Sequence, residues 1–341
     1  MSIGILGCGI YLPKLRIKRE EYQKTWGYFA PRWLEEKSVA AFDEDSVTMG
    51  VEAASNALRN ASFEVSALDA IFFATTSLPY AEKQNASTIA AALGCKRNIA
   101  SLDITSSTRC GLSALLSGLD FVNSGRGDGC LVVASDCPSG NPVDPLDHQF
   151  GAAAAAAIVG RSQSSCHVEG TFSVTAESLG ERFRRDGQNQ VSTVDLGRYH
   201  ETLSEDAVAS CVKGLMGKLN RSPQDYDFFT LHGFDDPKAT ELSRKLGFAD
   251  NKIMPGLVSS RIGDVGAAAP LLGLSRIQEL VSLGQHIALC SYGSGGADAM
   301  SAVAESEMKP LHGLGFESYL ERKEYIDYAT YLKLRKFNAR S

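Results

Sequence analysis

The segment of residues 101–115, SLDITSSTRCGLSAL, places a hydroxyl and a thiol, two potential nucleophiles, close together. It predicts a short strand that runs into the N-terminus of a helix built from small residues. Thr108 and Cys110 lie at this turn. A helix N-terminus lowers the pKa of a cysteine, whereas a threonine hydroxyl without a dedicated base stays protonated at neutral pH.

The two side chains are not interchangeable. Two positions along a helix correspond to a rotation of roughly 200°, so Thr108 and Cys110 are expected to face in different directions. We interpret Cys110 as a small packing residue, and a catalytic thiol at this position remains the alternative.

A second set of candidate residues lies in the C-terminal half of the chain. His232 and Asp264 are expected to pair, and the carboxylate would then raise the pKa of the histidine. A glycine-rich loop, with Gly293, Ser294 and Gly295, follows an apolar strand and exposes backbone N–H groups. Such groups stabilise a negatively charged oxygen, although packing alone also explains the glycines.

The elements that must position these residues occur twice. The apolar runs 70–74 and 130–133 in the first half have counterparts at 227–231 and 287–290, each 157 residues later. A helix rich in small residues lies between the two runs of each half, at 110–122 and 265–280. Equal spacing of matched elements predicts an internal duplication.

Continuous apolar strands that alternate with helices predict sheets covered on both faces. Two such halves, residues 1–165 and 166–341, would stack as five layers, α-β-α-β-α. The small-residue helices would form the middle layer, and the loops around Thr108 and Asp264 would face each other. Two independent α/β domains are the alternative.

Composition narrows the function classes. The net charge of −6 gives no reason to expect nucleic acid or a membrane surface as a partner. No apolar run approaches the roughly 20 residues that span a bilayer. The eight cysteines include no CxxC pair, so a metal site is not expected and the cytoplasm is the expected location.

Several segments together resemble the thiolase superfamily, in particular 3-hydroxy-3-methylglutaryl-CoA synthases of archaeal type and ketoacyl synthase III. The matching segments follow the family order: 43–58 (DEDSVTMGVEAASNAL), 77–94 (SLPYAEKQNASTIAAALG), 231–248 (LHGFDDPKATELSRKLGF), 291–300 (SYGSGGADAM) and 321–335 (ERKEYIDYATYLKLR). The resemblance spans nearly the whole chain and implies the five-layered thiolase-like fold.

The resemblance also implies a set of site residues, and this chain departs from it at three of four positions. The family glutamate falls on Thr76, the nucleophilic cysteine on Thr108 and the asparagine on Asp264, while the histidine is retained as His232. A backbone group at the position of Ser294 completes the oxyanion hole in the family. A carboxylate at 264 removes a hydrogen-bond donor worth roughly 3 kcal/mol to a developing oxyanion.

Two functions follow. The first is a catalytically degenerate, synthase-like subunit of a multicomponent acyltransferase that acts on acyl-CoA thioesters without a permanently bound cofactor. Its partners would be a second copy, or an active thiolase and a zinc-containing OB-fold protein. The second is an active condensing synthase or acyltransferase that uses Cys110 or Thr108 with His232. The arginine-rich run 181–186 is interpreted as a solvated or partner-binding face, with a CoA phosphate site as the alternative.

Overall fold

The computed structural model describes residues 3–161, 166–194, 196–305 and 314–338. Its strands are β1 (Ile3–Tyr11), β2 (Leu15–Lys18), β3 (Glu36–Val39), β4 (Ala70–Ala74), β5 (Ala100–Ile104), β6 (Gly129–Asp136), β7 (Ala153–Arg161), β8 (Cys166–Ala176), β9 (Phe228–His232), β10 (His286–Gly293), β11 (Gly295–Ala304) and β12 (Glu324–Tyr325).

The helices alternate with these strands. They are α1 (Arg19–Trp26), α2 (Ser46–Ala61), α3 (Asn85–Ala92), α4 (Cys110–Asn123), α5 (Pro145–Gln149), α6 (Arg198–Leu219), α7 (Asp236–Lys245), α8 (Asp250–Ile253), α9 (Ser259–Ile262), α10 (Ala269–Gln278), α11 (Phe316–Glu321) and α12 (Tyr328–Asn338).

The two halves of the chain form two half-sheets that join edge to edge. The strand order is β5-β4-β6-β7-β1-β8-β11-β10-β9, so the first five strands come from the N-terminal half and the last four from the C-terminal half. Within the described residues, two residue pairs connect β1 to β8, Gly4 with His167 and Ile5 with Cys166. The predicted pair of sheets is therefore one nine-stranded sheet with a narrow junction.

Helices cover the half-sheets as the predicted five layers require. The central apolar core contains α4 and α10 together with one face of each half-sheet. A second core packs α2 and α3 on the other face of the N-terminal half-sheet, and a third packs α6 and α7 on the C-terminal one. The thiolase-like α-β-α-β-α arrangement is confirmed.

The duplication is visible in strand pairing. β4 pairs in parallel with β6, and β9 pairs in parallel with β10, as the 157-residue offset predicts. The middle helices are confirmed at α4 and at α10, which a short 3₁₀ turn (Gly266–Ala268) precedes. They approach closely: a Cβ at Gly111 would lie 1.9 Å from the carbonyl oxygen of Ala267. Only glycine permits this contact.

A smaller sheet ties the end of the chain to its beginning. It has the order β12-β2-β3, and α12 packs beside it. Asp147, fully buried in α5, makes ion pairs with Arg335 of α12 and, at 3.8 Å, with Lys37 of β3. The C-terminal segment therefore folds onto the N-terminal half.

Candidate active site

The turn before α4 places Thr108 beside the glycine-rich loop. Ser106 in this turn has a φ of +86°, a conformation that costs a non-glycine residue free energy. Thr108 is half-buried, and its Oγ1 donates a long hydrogen bond of 3.4 Å to the carbonyl oxygen of Tyr292. A carbonyl oxygen cannot accept a proton as a general base does, so this contact does not activate the hydroxyl.

Cys110 lies apart from this surface. It is the first residue of α4, is 2 % exposed and belongs to the central core. Burial, with the nearby Asp136 carboxylate as a smaller cause, raises the pKa of the Cys110 thiol well above its usual value. The packing interpretation agrees with this position, because a buried thiol with a raised pKa is a poor nucleophile.

His232 ends β9 and is buried. Its Nε2 lies 2.9 Å from Thr230 Oγ1. Burial lowers the pKa of His232 to about 4, against a smaller opposing effect of Asp236. The expectation that Asp264 raises this pKa is wrong, because the cost of charging the enclosed imidazole exceeds the attraction of Asp236, and Asp264 pairs with Arg182 instead.

Asp264 has a different partner. Its Oδ2 accepts a hydrogen bond from Arg182 Nη1, and its Oδ1 accepts one of 2.8 Å from the backbone N–H of Gly266. The Arg182 guanidinium also lies over the Phe150 ring, 4.9 Å from its centre. The predicted His232–Asp264 pair is thus replaced by an Arg182–Asp264 ion pair.

Thr76 is held by a buried carboxylate. Asp136, at the end of β6, accepts hydrogen bonds from the Thr76 backbone N–H at 2.7 Å and from its hydroxyl at 2.9 Å. The same carboxylate accepts from Thr75, Ser77 and the backbone of Ala267 in the opposite half. The Thr76 hydroxyl donates to this carboxylate, so Asp136 positions the residue that the resemblance places at the family glutamate position.

Two neighbouring cavities bring the predicted residues together. The inner pocket, of about 60 Å³, is lined by Thr108, His232, Asp264, Gly293 and Ser294 among others. The outer cavity, of about 490 Å³, is lined by Thr76, Thr108, Ser294 and Gly295, by the turn of residues 105–107 and by residues between 177 and 191. The loops of the two halves therefore face each other, and Cys110 lines neither cavity.

The glycine-rich loop is packed against the turn. A Cβ at Gly293 would lie 2.3 Å from Ser107 Oγ and 2.7 Å from Thr108 Oγ1. Close packing explains why glycine occupies position 293. The oxyanion role of the Ser294 backbone stays a prediction.

Sequence reasoning missed Arg182. It lines both cavities, and its side chain is 21 % exposed, so the interpretation of the run 181–186 as a solvated face is wrong for this residue. Arg184 is exposed and donates a hydrogen bond of 3.1 Å to the Thr76 carbonyl oxygen, and Arg185 is exposed as well. An aspartate in place of an asparagine was the available signal, because a half-buried carboxylate needs a cation.

The arrangement has a polar pocket lined by Thr108 and His232, and the hydrogen bonds of these two side chains go to Tyr292 and Thr230 and not to each other. Arg182 and Asp264 form an ion pair at the position to which the resemblance assigns an oxyanion-binding asparagine. The described ranges contain no cluster of three or more potential metal-ligating side chains. Within them, no helix has the length and apolar character needed to cross a bilayer.

Curated relatives match nearly the full chain. The chain is 33% identical to hydroxymethylglutaryl-CoA synthase of Pyrococcus horikoshii, covering 98% of this chain and 96% of that protein. It is 35% identical to hydroxymethylglutaryl-CoA synthase of Aeropyrum pernix, over 98% of this chain and 94% of that protein. The chain belongs to the hydroxymethylglutaryl-CoA synthase family. This membership supports a function of the acyl-CoA condensing or acyltransferase type.

Solved structures agree on the fold of this family member. A crystal structure of HMG-CoA synthase complexed with CoA has a TM-score of 0.86 at 20% identity, over 98% of this chain and 90% of that chain. The 3-oxoacyl-[acyl-carrier-protein] synthase III from Aquifex aeolicus has a TM-score of 0.80 at 22% identity, over 89% of this chain and 100% of that chain. No protein-family model matches the sequence.

Proposed function

We propose that this chain is an acyl-CoA-binding, synthase-like subunit of a multicomponent acyltransferase and that it forms no acyl-enzyme intermediate itself. The observation that carries the proposal is the environment of Thr108. Its hydroxyl meets a carbonyl oxygen at 3.4 Å, and the nearby imidazole of His232 bonds to Thr230 instead. A threonine in this state does not attack a thioester at a useful rate.

The buried thiol supports the same conclusion. Cys110 lines neither cavity and has a raised pKa, so it does not replace the missing cysteine. The acyl-CoA part of the proposal rests on family membership, since relatives across the full length are hydroxymethylglutaryl-CoA synthases.

An active condensing enzyme is the second candidate, and the full-length identity to synthases favours it. Intact-mass spectrometry after incubation with acetyl-CoA separates the two candidates. We expect no 42-Da adduct, a mass that follows from the acetyl group, on the wild-type chain. A stoichiometric adduct on Thr108 or Cys110 would establish the active enzyme.

The triple variant Thr76→Glu, Thr108→Cys, Asp264→Asn is the positive control, because it restores the residue types that the resemblance implies. We expect it to accept an acetyl group. Thr108→Cys alone tests whether the nucleophile suffices. Equal acyl transfer by the wild type and the triple variant would overturn the proposal.

The proposed partners are a second copy of this chain, or an active thiolase together with a zinc-containing OB-fold protein. Within the described residues β5 is an edge strand with Leu102 45 % exposed, which supports association because an edge strand offers backbone donors and acceptors to another chain. Sedimentation at micromolar concentration should show a species larger than the 36.5 kDa chain. A stable monomer that captures neither partner would contradict this part of the proposal.

A further inference from the structure

Arg182 forms part of the wall between the inner pocket and the outer cavity. It lines both spaces, as do Thr108, Glu181 and Ser294. The inner pocket holds about 60 Å³ and the outer cavity about 490 Å³. A thioester placed at Thr108 would lie at this boundary, where the Arg182 side chain also lies. Access to Thr108 therefore depends on the position of that side chain.

Arg182 reaches from an irregular segment to a fixed surface. Its guanidinium donates to Asp264 and lies over the Phe150 ring, 4.9 Å from the ring centre. The backbone holds Asp264 in place, because its N–H donates to the Gln149 carbonyl oxygen at 2.7 Å. The stretch 177–194, which carries Arg182, lies outside the helices and strands given above. Arg182 is thus the side of this contact that can move.

The position of Arg182 against Asp264, which we call the closed position, has two free-energy costs. The φ of Arg182 is +33°, a value that non-glycine residues rarely adopt. Its Nη2 is enclosed and has no hydrogen-bond partner within the part of the chain that the structure describes. A strained backbone and an unpaired buried donor both destabilise the state that contains them. Both costs would be relieved if the side chain turned toward solvent.

Glycines lie on both sides of Arg182 in the chain. Gly180 and Gly187 have φ values of +78° and +71°. A Cβ at Gly187 would meet no heavy atom within 4 Å, so the backbone there has open space around it. Hinge residues absorb changes in φ and ψ, and glycine does so at the lowest cost. The segment 180–187 therefore has a hinge residue at each end.

We propose that the Arg182–Asp264 ion pair is a gate between the two cavities, which is closed in this structure and opens when the guanidinium leaves Asp264. A charge-assisted hydrogen bond favours the closed position, and the strained φ and the unpaired Nη2 oppose it. A ligand that binds only the open state has its apparent affinity lowered by the population of the closed state. The inference rests on the proposed function, which supplies acyl-CoA as the ligand.

Two variants open the gate by different means. Asp264→Asn keeps an oxygen that accepts from the Gly266 N–H, but it turns an NH2 group toward Arg182, which can only donate. Arg182→Gly removes the side chain and suits the positive φ. Calorimetric titration of the full chain with acetyl-CoA should show binding roughly fivefold or more tighter in each variant than in the wild type.

Asp186→Asn is the matched control. Asp186 belongs to the same segment, is exposed and lines neither cavity, and the substitution removes the same charge as Asp264→Asn does. We expect wild-type affinity. General attraction of the CoA phosphates cannot explain the expected pattern, because Asp264→Asn removes a negative charge and Arg182→Gly a positive one. Unchanged or weaker binding in either gate variant that folds, as a thermal melt shows, would overturn the gate.

Hydrogen exchange without ligand separates the gate from the proposed function. Phe183 and Ser192 exchange backbone hydrogen bonds of 2.8 Å, and their amides should exchange about threefold faster in Asp264→Asn than in the wild type or in Asp186→Asn. Such an increase, with no acetyl-CoA binding by any of these proteins, would support the gate and show that acyl-CoA binding in the proposed function is wrong. Equal exchange in all three proteins would overturn the gate, whereas an acetyl adduct in the mass experiment bears only on the proposed function.

Discussion

Burial, and not the nearby carboxylate of Asp236, determines the protonation state of His232. A pKa of about 4 means that the folded protein holds the imidazole neutral at every pH near neutrality. A neutral imidazole with its Nε2 at the Thr230 hydroxyl can position a neighbour or donate one hydrogen bond, but it is not a cationic oxyanion donor.

The buried imidazole makes stability depend on pH. Because the folded pKa lies below the ordinary value of about 6.5, the unfolded chain binds the proton first as pH falls. The contribution of neutral His232 to the free energy of unfolding is fully present above pH 6.5. It is lost as pH falls toward 4, by about 3 kcal/mol in total. Urea unfolding between pH 7 and pH 4 should show a smaller loss of stability in His232→Gln than in the wild type.

The Asp264→Asn variant is the matched control for this prediction. Since Asp264 pairs with Arg182, its removal should leave the NMR-detected pKa of His232 within about one unit of the wild-type value. If the stability of His232→Gln depends on pH as strongly as that of the wild type, the imidazole is not the cause of the pH dependence. A large fall of the His232 pKa in Asp264→Asn would show that His232 and Asp264 do interact, against the structure.

At the scale of elements, the contact between α4 and the turn before α10 holds the two halves in register. The turn that carries Thr108 precedes α4, and Asp264 precedes the 3₁₀ turn that leads into α10. A gap between these helices would therefore separate the two sides of the inner pocket. Gly111 is the residue that allows the close approach.

Gly111→Ala should destabilise the fold. Its methyl group would lie 1.9 Å from the Ala267 carbonyl oxygen, so backbone must move, at a cost of about 1–3 kcal/mol or more. Gly217→Ala on α6 is the control, because a Cβ there meets nothing within 4 Å, and helix propensity predicts a gain of up to about 1 kcal/mol. Urea denaturation measures both, and a neutral Gly111→Ala would show that the contact is loose.

At the scale of the whole molecule, a buried cluster of charged side chains holds the C-terminal helix α12 against α5 and β3. Asp147 accepts hydrogen bonds from the Tyr331 hydroxyl at 2.9 Å and from Arg335, while Lys37 Nζ donates to its backbone carbonyl at 2.5 Å. Burial would raise the pKa of Asp147, but the cations Lys37 and Arg335 outweigh it and hold that pKa below its usual value. Burial also lowers the pKa of Lys37 to about 7.

Asp147→Ala should loosen α12, because it leaves the largely enclosed guanidinium of Arg335 without its anion. Breaking a buried pair in this way costs about 3–5 kcal/mol. Asp128→Ala is the control, since Asp128 is 83 % exposed and its contact with Arg161 is 3.4 Å long; we expect a change below about 1 kcal/mol. Hydrogen exchange should locate the loss of protection in α12, and a uniform loss across the sheet would contradict a local clamp.

Local patterns in the sequence predicted most of the architecture. The apolar runs of β4, β6, β9 and β10 and the small-residue stretches of α4 and α10 follow from hydrophobic continuity and composition, which neighbouring residues carry. The duplicated order of these elements then determined the layers, because each apolar face needs a covering layer. Cys110 packs away from Thr108 as predicted, but Thr108 lies before α4, so the helical rotation used for the prediction does not apply to this pair.

The partners of charged side chains came only from the tertiary structure. Asp264 and Arg182 are 82 positions apart, and Asp147 is 110 positions from Lys37 and 188 from Arg335, so no local pattern joins these partners. The low pKa of His232 likewise depends on how completely surrounding segments enclose it. Hydrophobic periodicity is a property of residues that are close in sequence. Electrostatic pairing and desolvation depend instead on distances in space, which are fixed only after the layers have packed.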